Sequence, residues 1–395
     1  MELLAPAGNF DKLVTAVHFG ADAVYFAGKM YGLRAFAGNF DNEEIIKAMQ
    51  FLHDNGKKGY ITLNIVANDS DFKNIDNYLN LLVEAKVDGL IVSDIGLIYY
   101  LRKNFPSLNV HVSTQANVNN SYSAKFFADL GVTRIVLARE LNLEQVKEIY
   151  KSVGDKVELE AFVHGAMCIS YSGRCLLSNY MTGRDSNKGA CVQACRWQYS
   201  IREVNKSEEY PIEEDERGTY ILNSKDLCMI EHLKELEEAG VCSLKIEGRM
   251  KSDYYVASVI NAYRRALDKK NEINILKDEL EKTSHRRYTT GFYFNSDDKE
   301  FLETSMPVQT AEFVAKVVDD SKNGMVKVEM RNRFMVGDEL EILSPNESFL
   351  KIIKIEKIIN EKGEEIADCK RVQDVVSINC PYELKKGDIL RRSIK

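Results

Sequence analysis

From residue 2 to residue 269, short apolar runs alternate with longer stretches of helical periodicity. The runs are "ELLAPA" (2–7), "AVYFA" (23–27), "YITLN" (60–64), "GLIVSD" (89–94), "NVHVST" (109–114), "RIVLA" (134–138), "ELEAFV" (158–163) and "SLKIEG" (243–248). Between the first two, Phe10, Leu13, Val14 and Val17 fall on one helical face. Further helices are predicted over 42–54, 71–86, 119–130, 143–152, 226–239 and 251–269. Apolar strands separated by helices imply a parallel sheet covered on its faces. Eight such units predict an α/β fold, a TIM-like (β/α)8 barrel that tolerates distortion; an open doubly wound sheet is the alternative.

After residue 290 the period changes to two. A small all-β barrel is expected over 308–395, joined by a linker at 291–307 to a catalytic domain at 1–290. Its Gly-Asp steps before strands resemble domain two of translation factors such as elongation factor Tu, a module that often touches RNA. Packing or dimerisation is an equal reading.

In a (β/α)8 barrel the active site gathers where strands end. Those positions hold Asn64, Asp94, Gln115, Arg139, Glu140, His164 and "EGR" at 247–249. The longest excursion, 164–225, follows the seventh strand, and a loop of that length is usually functional. Its second half reads as a β-hairpin with an acidic tip.

That insertion carries the cysteines that change the picture. Cys168, Cys175, Cys191 and Cys195 are spaced C-x6-C-x15-C-x3-C, and Cys228 follows just inside the helix expected at 226–239. Cys242, Cys369 and Cys380 sit in expected strands and read as small buried hydrophobes. "MELLAPAGNF" has no basic region followed by an apolar core, and no apolar window is long enough to span a bilayer. A cytoplasmic protein without membrane association is expected, so its thiols stay reduced and point to metal or catalysis rather than disulfides. Structural zinc favours closely paired knuckles; thiolate ligation at irregular spacing better suits a [4Fe–4S] cluster. Zinc, no metal, and a Cys–His nucleophile built on His164 stay open.

A net charge of −7 argues against indiscriminate nucleic-acid binding but not against a local basic surface. Arg174, Arg184, Lys188, Arg196 and Arg202 face a single acid, Asp185, within 164–202, and "SHRRY" at 284–288 forms a second basic cluster. An anionic ligand is the preferred reading of this asymmetry.

The segment "ELEAFVHGAMCISYSGRCLLSNYMTGRDSNKGACVQACRW", with "ELLAPAGN", "STQANV", "LARELNL", "NSKDL", "KIEGRMKSDYYVA" and "RRYTTGF", resembles the peptidase U32 family, described early as collagenase-like proteases. The resemblance covers nearly the whole chain and runs nearest to the branch that makes tRNA 5-hydroxyuridine. It implies oxygen-independent 5-hydroxylation of the wobble uridine of tRNA, linked to prephenate or a similar carboxylate, and a [4Fe–4S] cluster on the motif cysteines. Cys168, Cys175 and Cys191 match those cysteines; Cys195 and Cys228 both stand where the fourth ligand can lie. Glu160 and His164 match the acidic and histidine positions before the first cysteine and, with Glu247, are the expected catalytic groups. Gln115, Arg174, Arg184, Arg196, Lys245 and Arg249 are the expected substrate contacts. Strand alternation points Lys245, Glu247 and Arg249 the same way. Tyr171, Tyr180 or Trp197 could stack a base.

Two other functions compete. A metal- or thiol-dependent peptidase would use Glu160 or Glu247 as general base, although HExxH and GxSxG are absent. A non-catalytic RNA-binding scaffold would carry structural zinc. A partner protein or self-association is left open.

Overall fold

In the computed structural model, residues 1–32, 38–168, 170–173, 175, 177–184, 186, 190–196, 201–202, 209–210, 214–215, 218–219, 225–294 and 308–394 are described. Arg174, Lys188, Trp197 and most of the linker expected at 291–307 lie outside them.

The expected strands form as β1 (Glu2–Pro6), β2 (Ala23–Phe26), β3 (Lys58–Leu63), β4 (Gly89–Val92), β5 (Val110–Val112), β6 (Arg134–Val136) and β7 (Glu158–Ala166); after a short β8 (Asp226–Cys228) comes β9 (Val241–Ile246). β1 to β7 pair in order and in parallel, and β9 pairs in parallel with both β7 and β1. Eight parallel strands therefore close into the (β/α)8 barrel. Alternation divides the side chains. Leu3, Val24, Phe26, Ile61 and Leu90 are fully buried on the helix side, while Leu4, Ala23, Tyr25, Tyr60 and Ile91 cluster inside. Full burial of each large apolar side chain contributes about 1.5–3 kcal/mol.

The helices between strands are α1 (Phe10–His18), α2 (Asn42–Asp54), α3 (Ile75–Glu84), α4 (Ile95–Asn104), α5 (Ser121–Asp129) and α6 (Leu143–Val153). Asp41 with Glu44 and Asn142 with Gln145 form capping boxes that start α2 and α6. Asp94, expected as a polar rim group, is an N-cap instead: its carboxylate accepts from the Leu97 amide at 2.9 Å and starts α4.

The helix expected at 226–239 is mostly something else. Its first residues form β8, which runs antiparallel to the end of β7 and sets Cys228 opposite His164. A 3-10 turn (Ile230–His232) and the short α8 (Leu233–Glu238), numbered after α7 (Leu177–Thr182) of the insertion, follow. Asp226 makes the strand the better choice. It is buried, its carboxylate takes three hydrogen bonds from Arg286, and its amide bonds the Arg287 carbonyl. Of the expected hairpin, two antiparallel pairs are described, Ile201–Arg202 with Glu209–Tyr210 and Glu214–Asp215 with Gly218–Thr219.

A second compact unit collects Val14–Gly20, Ser252–Ser284 and the chain from Val308. It takes more of the sequence than the division at 290 and 308 anticipated. Eight of its strands form one antiparallel sheet around Val314, Val328, Phe334, Leu340, Ile378 and Leu390, and Phe334–Met335 pairs separately with Asp368–Cys369. Over 308–394 the all-β expectation holds, while Ser252–Ser284 brings two helices, Asp253–Leu267 and Ile273–Glu281, into the unit. Ile352–Lys354 and Glu365–Ile366, the two ends of the ladder, do not pair with each other, so hydrogen bonding leaves open a sheet expected to close. Within this unit Arg391 is fully buried and binds Glu279 through two 2.5 Å bonds, with Glu341 at 2.6 Å.

Candidate active site

Two polar zones occupy the two ends of the barrel. At the N-terminal ends of the strands, a cavity of ≈ 370 Å³ is lined by Lys58, Tyr60, His111, Arg134, Asp155 and Glu158 among others. Beneath it the charges pair. Arg134 binds Glu2 at 2.6 Å, Glu158 at 2.6 Å and Glu160 at 3.0 Å. Lys245 reaches the other Glu160 oxygen at 2.6 Å, and Ser243 donates to the first at 3.2 Å.

Glu160 is completely buried, with both oxygens engaged. Burial pushes its carboxyl upward, but Lys245 and Arg134 outweigh burial and hold it below the ordinary range. It lies near the start of β7, away from the strand ends where barrel chemistry gathers. Expected as a catalytic group, Glu160 sits here as the counter-charge of two buried cations. Lys245, expected to touch substrate, points the same way, with its ammonium also 4.5 Å over the Tyr25 ring.

The C-terminal ends carry the other expected residues. His164, near the end of β7, is 1% exposed; burial lowers its pKa to about 3, so the ring is neutral at physiological pH. Tyr288 lies 5.3 Å from it and stacks on His285 at 4.2 Å. Glu247 stands just beyond β9, half-buried, its amide bonded to the His164 carbonyl at 2.8 Å. Arg249 is buried and donates to Thr62 at 3.0 Å. Its backbone requires glycine opposite: a Cβ on Gly8 would stand 2.3 Å from the Arg249 carbonyl oxygen. Lys245 and Arg249 are thus inside the barrel, but a register shift at 245–246 ends the ladder before Glu247. Gln115 accepts from Asn64 at 2.9 Å on the opposite side of the rim.

The basic clusters divide. Arg184 is exposed, while the Arg196 side chain lies outside the described residues. Within "SHRRY", Arg286 is buried on Asp226 at 2.6 Å and only Arg287 is exposed, so the cluster offers one accessible arginine rather than a phosphate cradle. Tyr171 and Tyr180 are 50% and 91% exposed, as stacking would need.

Sequence reasoning placed Arg139 and Glu140 at the rim but gave neither a role; they hold the cysteine loop in place. Glu140 accepts from the Ser172 amide at 2.5 Å and its hydroxyl at 2.6 Å, and Ser172 sits at φ 44°. Arg139 donates to the Ala166 carbonyl at 3.1 Å. The signal available was their place, immediately after a strand end.

Three cysteines share one local geometry. The amide two residues on donates to each sulfur: Leu177 to Cys175 and Gln193 to Cys191, both at 3.3 Å, and Ser170 to Cys168. Burial pushes the Cys168 thiol up; the Ser170 amide and Arg139 oppose this, and Cys175 and Cys191 add to it. Cys168 is thus within electrostatic reach of both Cys175 and Cys191. Cys195 and Cys228 are half-buried. An all-sulfur donor set, each sulfur met by an amide, fits a thiolate-bound metal or cluster. Among the described residues, no three His, Cys, Asp or Glu groups already stand close enough to hold one ion. Nor, among them, is any helix long and apolar enough to cross a membrane.

The sequence matches Peptidase family U32 over residues 8–303 and the Peptidase family U32 C-terminal domain over 309–391. It is 38% identical to the tRNA hydroxylation protein P1 of Bacillus subtilis, over 99% of this chain and 94% of that protein. A protein named collagenase from Porphyromonas gingivalis is 31% identical over 90% of this chain and 89% of its own length. A 23S rRNA 5-hydroxycytidine synthase of Escherichia coli is 37% identical over 76% of this chain and 44% of that protein. With both of its regions matched and its barrel closed, the chain belongs to peptidase family U32.

Proposed function

We propose that this protein is an RNA-modifying enzyme that hydroxylates a pyrimidine base, in its finer form C5 of the wobble uridine of tRNA, without molecular oxygen. Relatives named for tRNA hydroxylation and for rRNA 5-hydroxycytidine synthesis support the reaction class. The carrying observation in the structure is the set of three cysteines, each with a backbone amide on its sulfur, at the C-terminal mouth of the barrel. Cys168, Cys175, Cys191 and one of Cys195 or Cys228 would hold a [4Fe–4S] cluster. When bound, such a cluster supplies one-electron chemistry or an open iron as Lewis acid. Replacing C5–H with C5–OH removes two electrons from the base, so the reaction also needs a two-electron acceptor; prephenate or a similar carboxylate is the proposed co-substrate.

The chain's own residues would prepare the site. Arg184 and Arg287 offer exposed cations for RNA phosphates, and Tyr171 and Tyr180 offer exposed rings for bases. His164, neutral and buried, carries a single ring proton at pH 7 and can exchange hydrogen bonds as donor and acceptor. Glu247, half-buried at the rim, is the carboxylate better placed than Glu160 to meet substrate.

The test is tRNA nucleoside mass spectrometry on a deletion strain. 5-Hydroxyuridine should disappear, return with the wild-type gene, and stay absent with Cys168→Ser. An unchanged level in a strain with no second gene of the family would refute the proposal. The collagenase-named relative motivates a gelatin assay on pure protein, with and without zinc. Cleavage lost in Glu247→Gln would favour the peptidase reading.

A further inference from the structure

We propose that Arg139 is the anchor for a small carboxylate, bound side-on at the mouth of the barrel beside the cysteine loop. The proposal deepens the preceding section, since it gives that reading's carboxylate a place, but its observations are independent of any relative.

Arg139 follows β6 and is half-buried. Its guanidinium carbon lies 4.0 Å over the Phe162 ring, which fixes the plane of the group. One terminal nitrogen, Nη1, is committed to the Ala166 carbonyl at 3.1 Å. Nε is buried and has no hydrogen-bond partner. The edge left over is the one formed by Nε and Nη2, two parallel N–H donors that match the two oxygens of a carboxylate.

Among the described residues Arg139 makes no ion pair. Its nearest carboxylate in sequence, Glu140, is occupied by Ser172. A half-buried cation with an unsatisfied buried N–H is costly unless a ligand completes it.

The depth of the group decides between oxyanions. An RNA phosphodiester carries a sugar on each side and meets more hindrance at a buried Nε than the terminal carboxylate of a small molecule does. The same position brings that carboxylate beside the segment that carries Cys168, two residues beyond Ala166.

The experiment is anaerobic calorimetric titration of the full-length protein with phenylpyruvate, with its uncharged amide as control and no RNA present. Wild type should bind the carboxylate at least tenfold more tightly than the amide. Arg139→Gln should lose that discrimination, and Arg139→Lys should keep part of it, because charge remains but the fork does not. Wild type without saturable carboxylate binding, or Arg139→Gln with discrimination intact, overturns the proposal. So does inorganic phosphate displacing phenylpyruvate at equal concentration. Should Arg139→Gln fail to fold, the Lys variant decides: discrimination equal to wild type counts against the fork. Hydroxylation plays no part in the readout. Failure here leaves the RNA reaction standing, and failure of that reaction leaves this site standing.

Discussion

The two ends of the barrel are both charged, and they treat charge in opposite ways. At the N-terminal end, Arg134, Lys245, Glu2 and Glu160 saturate one another, and both oxygens of Glu160 are bonded in a fully buried position. At the C-terminal end, Arg139 holds one carbonyl and leaves a buried N–H unmatched, and the Cys168 thiol lies within electrostatic reach of Cys175 and Cys191. A network that completes itself specifies a fold, and a set that stays incomplete needs something from outside. Composition does not separate the two ends. What separates them is whether the buried charges are matched, since at the closed end it is the neutral His111 whose Nδ1 lacks a partner.

The largest expected effect breaks the closed end. Glu160→Gln leaves Lys245 and Arg134 buried beside a neutral amide and should cost about 3–5 kcal/mol in urea unfolding. The double variant Glu160→Leu, Lys245→Met removes both charges and should recover most of that loss. A Glu160→Gln protein of wild-type stability that lacks RNA hydroxylation would reverse the assignment and make Glu160 a catalytic group.

A smaller effect comes from His111 at the same end. It is almost wholly buried, and burial, with Arg134 next, holds its pKa well below 6.5. In the unfolded chain it takes a proton near pH 6.5, so below that pH the unfolded state binds more protons. Stability is therefore full above pH 6.5 and falls as pH drops, by up to about 1.4 kcal/mol per pH unit. Glu2 and Glu160, whose pKa values are lowered from 4.5, contribute only below that range. Urea midpoints at pH 7 and pH 5 should differ less in His111→Asn than in wild type. Equal slopes would show that His111 is not held neutral.

The smallest effect sharpens the open end. Arg139→Gln should cost less than Glu160→Gln, about 1–2 kcal/mol, because the Ala166 bond and the Phe162 contact are lost but no ion pair is broken. A loss near that of Glu160→Gln would mean that the two ends are alike and that Arg139 is structural.

How far these zones could be read from the sequence follows from what a sequence encodes. All eight barrel strands were legible, because inward and outward residues are both mostly apolar and the runs stand out between amphipathic helices. β8 was not. "KDLCMIEHL" carries a helical period, and contacts distant in sequence, the ladders to β7 and to Tyr288–Thr289 and the Arg286 bonds to Asp226, turn its start into a strand. The cysteine set was legible by spacing, and its three amide contacts are local, each two residues on. The ion-pair network was not, since Glu2, Arg134 and Lys245 are distant in sequence and Arg134 looks like any polar residue opening a strand.

By itself, then, the sequence determined what depends on neighbours and on period: the barrel, the all-β C-terminal stretch, the thiol loop and the family. Tertiary structure alone decided which charged residues are spent. Glu160 and Arg139 are both ionisable side chains beside barrel strands, yet one is enclosed by partners from β6 and β9 and the other meets a single carbonyl. The difference arises because satisfaction of a buried charge depends on groups brought together by closure of the barrel, and no local pattern along the chain records it.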